Sequence, residues 1–304
     1  MTPDVLDTRQ LLVFRTLAET GGFTETAKRL HLTQSAISHS VRSLEDKLEC
    51  RLFDRIGKRA LLTEIGERLY SHTHTIFSEM DAAFRSIEEV KTWGKGRIRI
   101  GATTSACQFI LPSVLREFRE CFPLCKIVVQ AGDTPVLLEK LKRSEVDLAI
   151  CLRPWKDIEF DTTLLFEDRL HAIVAPNHPI AKLPMIPRTV EDFPFIIYDS
   201  RSYTFDLVSN YFRESKVLLD HFIELGSGEA IKELAKIGLG IGVLADWTVR
   251  KEIEEGSLVQ VALGRTPLKR SWVICRQKGH SQTLMENTFE NLTHSVCDNL
   301  AMAD

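Results

Sequence analysis

The sequence predicts a multidomain α and α/β protein, and three patterns in its 304 residues carry that prediction. Short amphipathic helical patterns and a basic hairpin occupy the amino-terminal end. An apolar seam at alternating spacings of three and four then runs from Ile65 to Val90, and from Ile98 onward strand and helix patterns alternate. The expected boundaries are a small helical domain over 1–63, a linker helix over 64–93 and an α/β domain over 94–304. The last divides into one subdomain near 96–167 and 270–304 and a second near 168–269.

Composition narrows the class. Lys and Arg number 39 against 42 Asp and Glu, a balance that argues against nucleic acid coating the whole chain but leaves room for a local basic patch. No run approaches the roughly 18 consecutive apolar residues of a membrane helix. The start, "MTPDVLDTRQ", is acidic and polar where a secretory signal is basic and then apolar, so a cytoplasmic location with no membrane partner is expected. The 7 cysteines (Cys50, Cys107, Cys121, Cys125, Cys151, Cys275, Cys297) are odd in number and scattered among apolar neighbours, the pattern of reduced cytosolic thiols. Cys121 and Cys125 have no second pair to complete a zinc site; neither a metal nor a cofactor is expected.

Taken in order, "TRQLLVFRTLAET" (8–20) places Leu11, Leu12, Phe14, Leu17 and Ala18 at helical spacing, and Gly21 with Gly22 stops the helix. In "FTETAKRLHL", Phe23, Ala27 and Leu30 share a face, with Thr24 as the expected N-cap. A third helix, "TQSAISHSVRSLEDKLE", starts near Thr33 or Gln34 with an inward stripe of Ala36, Ile37, Val41, Leu44 and Leu48. Its outward face holds Gln34, Ser35, Ser38, His39 and Arg42. Short polar side chains at a helix start, behind another short helix and a tight turn, suit the DNA major groove. The backbone can come close, glutamine can read base edges, and the N-terminus favours phosphate.

Downstream, "CRLFDRIGKRALLT" reads as a hairpin: Leu52 and Phe53, a turn at Gly57, Lys58 and Arg59, then Ala60, Leu61 and Leu62, tipped by Arg55, Lys58 and Arg59. A long helix follows from Thr63 to about Thr92, its seam formed by Ile65, Leu69, Ile76, Met80, Ala83, Phe84, Ile87 and Val90. The preceding domain is too small to cover that length, so Ile65, Leu69, Ile76, Met80, Phe84 and Ile87 are expected to form a dimer contact.

Past Gly94 and Gly96, Ile98, Ile100 and Ala102 alternate as a strand. A helix ("LPSVLREFREC"), a strand ("KIVVQAG"), a helix ("TPVLLEKLKR") and a strand ("VDLAICL") follow. A second series comprises strands "LHAIVA" and "FPFIIYDS", a helix in "YTFDLVSNYFRES", a strand in "DHFIELG", a helix in "EAIKELAKIG" and a strand in "GIGVLADW". The strand "RSWVICRQ" and a helix from about Ser281 close the chain. Short connections between alternating elements imply a parallel sheet with helices on both faces. Two such units, crossed by the chain near 166–168 and 267–269, would enclose a hinged cleft that takes a small ligand at the carboxyl ends of the strands.

The amino-terminal stretch resembles the winged helix-turn-helix of LysR-type transcriptional regulators. The matching residues are Ala27 in the first motif helix, the "LHLTQ" turn, Ser38, Leu44 with Glu45, "LF-x-R" (Leu52, Phe53, Arg55) and "LT-x-x-G" (Leu62, Thr63, Gly66); further on, the order of elements and "GLGIGVL" agree. The resemblance implies an N-terminal winged helix-turn-helix, a long linker helix and a two-subdomain α/β ligand-binding domain of periplasmic-binding-protein type. It also implies a homodimer or homotetramer on a partly palindromic double-stranded operator, RNA polymerase as a partner if the protein activates, and an effector in the cleft. DNA contacts would come from Thr33, Gln34, Ser35, Ser38, His39, Arg42, Arg55, Lys58 and Arg59. Many members carry arginine where this chain has His39 and proline where it has Ser35, which leaves the operator sequence open.

For the effector, Thr103, Thr104 and Ser105 offer hydroxyls and backbone N–H groups at a helix start, suited to a small anion; the plain alternative is an N-cap. Facing them in the family's geometry would be Gln130, Gly132, Ser200, Arg201, Gly226 and Ser227, with Arg201 as the anion's partner unless it is simply solvated. Peroxide-sensing members carry a cysteine pair in the middle of this domain, but here none lies between Cys151 and Cys275. An enzyme is not expected: there is no phosphate loop, metal set or G-x-S-x-G turn. An exported solute-binding protein would need a signal. A ligand-independent architectural or repressor protein is the remaining alternative, and it leaves the α/β part unexplained.

Overall fold

The computed structural model describes residues 5–56, 59–91, 96–155, 159–184, 193–215 and 222–301. They form two compact units, Met1–Ala83 and Phe84–Asp304.

In the first unit, α1 (Thr8–Thr20) starts at Asp7, whose carboxylate accepts from the Arg9 N–H at 2.7 Å. It ends at Gly21, whose φ of 67° is left-handed backbone that glycine adopts without strain. α2 (Phe23–Leu30) is capped by Gly22 rather than Thr24; Thr26, buried, sends its hydroxyl back to the Gly22 carbonyl at 2.9 Å. α3 (Gln34–Leu48) begins at Thr33, and β1 (Phe53–Ile56) pairs antiparallel with β2 (Arg59–Leu62). Leu11, Phe14, Leu17, Ile37, Val41, Leu44 and Leu52 form one apolar core.

α4 (Glu64–Lys91) starts at Thr63, whose Oγ1 accepts from the Gly66 N–H at 3.0 Å and donates to the Arg51 carbonyl at 2.9 Å. A Cβ on Gly66 would lie 2.2 Å from the Leu52 carbonyl oxygen, so this crossing of helix and chain admits only glycine. The unit boundary falls inside α4 because the first half of the helix packs inward: Leu69, Tyr70, Ile76 and Phe77 lie against the core. Leu69 and Ile76, expected on the partner seam, are therefore turned to their own chain, while Ile65, Met80 and Phe84 stay exposed. The Ile87 side chain lies outside the described residues.

The second unit is built on one nine-stranded sheet. Its strands are β3 (Arg97–Ala102), β4 (Lys126–Ala131), β5 (Leu148–Leu152), β6 (Phe160–Val174), β7 (Phe195–Tyr198), β8 (Phe222–Leu225), β9 (Ile241–Ala245), β10 (Val259–Val261) and β11 (Leu268–Gln277). The spatial order is β4-β3-β5-β11-β6-β9-β7-β8, with β10 paired to β6. The sheet is mixed, not parallel as expected: β11 runs antiparallel to β5 and β6, and β6 antiparallel to β9. Those two long strands belong to both subdomains and join two parallel βα halves. The first half of β6 escapes a pattern reading because exposed and half-exposed positions interrupt its alternation.

Helices α5 (Thr104–Phe109), α6 (Leu111–Cys121), α7 (Thr134–Lys142) and α11 (Leu284–Ala301) belong to the first half, and α8 (Tyr203–Glu214), α9 (Gly228–Lys236) and α10 (Asp246–Glu254) to the second. β10 and α10 were not expected from the sequence, α5 is the helix whose start was expected at Thr103 to Ser105, and α11 starts later than Ser281. The largest core cluster runs across both halves through Ile100, Ile150, Phe166, Ile197, Val243 and Trp272. Among the described residues no helix is long and apolar enough to cross a membrane.

Candidate functional site

At the start of α3 the Thr33 hydroxyl accepts from the Ala36 N–H at 3.2 Å. Gln34, Ser35, His39 and Arg42 are exposed and Ser38 is half-buried. Ala36, expected in the inward stripe, is exposed; at 3.6 residues per turn it lies about 110° from the centre of the stripe formed by Ile37, Val41, Leu44 and Leu48. Glu45 lies on the far turns of the helix. Its Oε1 accepts from the N–H groups of Leu52 and Phe53, at 2.8 and 3.2 Å, and so ties the helix to the start of the hairpin. Arg55 sits in β1 opposite Ala60, Arg59 is exposed in β2 rather than in a turn, and Lys58 lies outside the described residues.

In the second unit, the carboxyl ends of the strands surround a cavity of about 310 Å³. Thr103, Thr104, Ser105, Gly132 and Gly226 line it, as do residues that sequence reasoning passed over: Asp133, Thr134, Leu152, Tyr198, Thr204, Arg270 and Trp272. Thr103 serves as the N-cap of α5, accepting from the Ala106 N–H at 3.3 Å, which leaves the Thr104 hydroxyl exposed. Ser105 bonds the Tyr198 hydroxyl, a link between the two halves, and burial pushes the Tyr198 pKa up. Asp133 caps α7 and also accepts from the Tyr203 N–H at 3.4 Å across the cleft. Burial raises its carboxyl above the usual range, in spite of the backbone donors of Thr134 and Tyr203 and the charge of Arg270; the Asp199 charge adds to the rise.

Other expected residues lie elsewhere. Gln130 turns toward α7, accepting from Lys140 at 2.5 Å and donating to the Glu145 carbonyl. Ser200 is exposed, its N–H bonded to Glu224, and Ser227 stands at the α9 start without a side-chain cap bond. The Arg201 side chain is 89% exposed and forks onto Asp199, which it holds down to about 2; it is absent from the cavity wall, because a pair two residues apart closes in solvent.

The cavity's cation is instead Arg270. Its Nε and Nη2 donate to Asp168 at 2.9 and 2.5 Å, and Nη1 donates to the Thr204 hydroxyl at 3.0 Å. The indole N–H groups of Trp247 and Trp272 each add a bond to Asp168 at 2.8 Å. Burial disfavours the charged guanidinium, but the Asp168 carboxylate outweighs it and keeps the Arg270 pKa above its ordinary value. The pair lies where β6 and β11 cross between halves, walled by Phe166 stacked on Trp272. The signal available in the sequence was periodicity: Leu268, Arg270 and Trp272 share the inward phase of one strand. Among the described residues no group of His, Cys, Asp and Glu is arranged to hold a metal.

Comparison with known proteins agrees with this architecture. Residues 8–67 match the bacterial regulatory helix-turn-helix protein, lysR family, and residues 94–297 match the LysR substrate binding domain. The chain is 33% identical to a RuBisCO operon transcriptional regulator of Acidithiobacillus ferrooxidans, over 86% of this chain and 85% of that protein. It is 30% identical to the HTH-type transcriptional activator CmpR of Synechocystis sp., over 92% of each. The Synechocystis CcmR regulatory domain in complex with 2-PG superposes with a TM-score of 0.60 at 28% identity, covering 67% of this chain and 98% of that one. With a helix-turn-helix whose polar face is open, joined to a two-subdomain cleft domain, the chain belongs to the LysR family of DNA-binding transcriptional regulators modulated by small-molecule effectors.

Proposed function

We propose that the regulator binds a partly palindromic operator as a homodimer or homotetramer and that a small anion in the 310 Å³ cavity alters operator affinity or DNA bending. The observation that supports the anion is the cavity's lining: hydroxyls of Thr104, Thr134 and Thr204 beside the starts of α7, α8 and α9, which favour negative charge. The first compound to test is 2-PG, which the CcmR regulatory domain binds. Exposed Ile65, Met80 and Phe84 support pairing through α4, to which Ile87 would add. The protein acts by binding, in the cytoplasm, with RNA polymerase as a further partner if it activates.

The α3 face makes the DNA contacts in this reading. Fluorescence anisotropy on the DNA upstream of its own gene, across a salt series with a scrambled duplex as control, tests it; equal binding to both duplexes would sink the reading. In that assay Gln34→Ala should reduce discrimination by about 1 to 3 kcal/mol. Arg55→Ala should weaken both duplexes alike and flatten the salt slope by about one unit. A Gln34→Ala protein with unchanged discrimination would displace α3 from the groove.

Asp133 adds a pH dependence. Its carboxyl titrates above the usual value, so it is neutral and tolerant of an anion at low pH, and becomes a like charge as pH rises through the raised value. Anion affinity should therefore fall as pH rises through that raised value in calorimetric titrations of 2-PG. Asp133→Asn should flatten that fall and bind more tightly at the upper end. An unchanged profile in the variant would remove Asp133 from the site.

A further inference from the structure

A second cavity, about 390 Å³, lies beside the first and shares Leu152 and Arg270 with it. Its walls are the chain just past β5, the first turns of α8 and the start of β11. Its chemistry differs from that of the first. Trp155 is 61% exposed, unusual for so large an apolar side chain, and its ring lies 4.7 Å from that of Tyr203 at a 45° tilt. Pro154 and Leu207 extend this apolar wall. Arg153 and Lys269 also line it, both exposed and, among the described residues, in no ion pair. Among the described residues no acidic side chain lines the cavity.

An apolar wall with two exposed cations beside it describes a particular complement. Hydroxyls and helix starts dominate the first cavity, where small polar acids fit. Here an aromatic ring can lie on Trp155 and Tyr203 while its acid group reaches Arg153 and Lys269. We propose that this second cavity is an auxiliary site for an aromatic carboxylate, separate from the effector cavity. Such a ligand would touch both halves of the cleft, the β5 end on one side and α8 on the other, with the Arg270 backbone strand between them. Occupancy therefore favours one relative setting of the halves, and with it one state of the effector cavity.

Isothermal titration of the full-length protein with phenylacetate, and with neutral phenylacetamide as its isostere, tests the site. Saturable phenylacetate binding is expected, with the amide weaker by about tenfold or more. Trp155→Ala and Arg153→Gln, both at exposed positions, should each lower phenylacetate affinity by at least about tenfold, and Thr104→Ala in the first cavity should leave it unchanged. Loss in Thr104→Ala with no loss in Trp155→Ala would place phenylacetate in the effector cavity and overturn the proposal. Equal affinity for acid and amide would remove the cations from the site, and no saturation by about 10 mM would remove the site itself.

Discussion

Alanine at Asp168 is expected to destabilise the carboxy-terminal unit by about 3 to 5 kcal/mol, because it leaves the Arg270 guanidinium buried and unpaired. The side chains are 5% and 1% exposed for Arg270 and Asp168, so water cannot replace the lost partner. The same change strands the indole N–H groups of Trp247 and Trp272, each bonded to Asp168 in the native fold. Urea unfolding followed by tryptophan fluorescence reads the loss directly. The double variant Asp168→Leu with Arg270→Met should recover much of it, since neither charge then needs a partner. That variant should nonetheless bind effector poorly, because Arg270 lines the cavity and orients Thr204. A single-variant loss below about 1 kcal/mol would mean that the crossover admits solvent.

Glu45→Ala is the second large effect, expected to cost the amino-terminal unit about 2 to 5 kcal/mol by stranding the N–H groups of Leu52 and Phe53. Those residues are 0% and 6% exposed, so water does not replace the lost acceptor. Glu45→Gln retains an acceptor oxygen and should recover most of the stability. Operator affinity in Glu45→Ala should fall with stability, since the bonds fix the hairpin against α3. An alanine variant as stable as the glutamine variant would show that the two N–H groups find other acceptors.

Much of the amino-terminal unit was legible because its interactions are local. Gly21, Thr33 and Thr63 act within a turn of their own positions, and the stripe of Ile37, Val41 and Leu44 follows from helical spacing alone. The motif residues Glu45 and Gly66 were legible as a resemblance, while the reasons for them, two backbone donors and a 2.2 Å approach to the Leu52 carbonyl, appear only in the fold. On α4 the seam was visible but its facing was not. Spacing groups Leu69, Ile76 and Met80 together, whereas packing against a curved core divides them.

The effector cleft shows where the limit lies. Sequence alone determined the alternation of strands and helices, the hydroxyl cluster at Thr103 to Ser105 and the family, since each is written in neighbouring residues. Only the tertiary structure decided that Arg201 pairs with Asp199 in solvent and that Arg270 is the cavity's cation. Arg270 meets Asp168 across 102 residues of chain, through the register in which β11 lies beside β6. Backbone hydrogen bonds serve any register alike and packing of the buried face selects this one, so no local pattern announces which buried charge will find which partner.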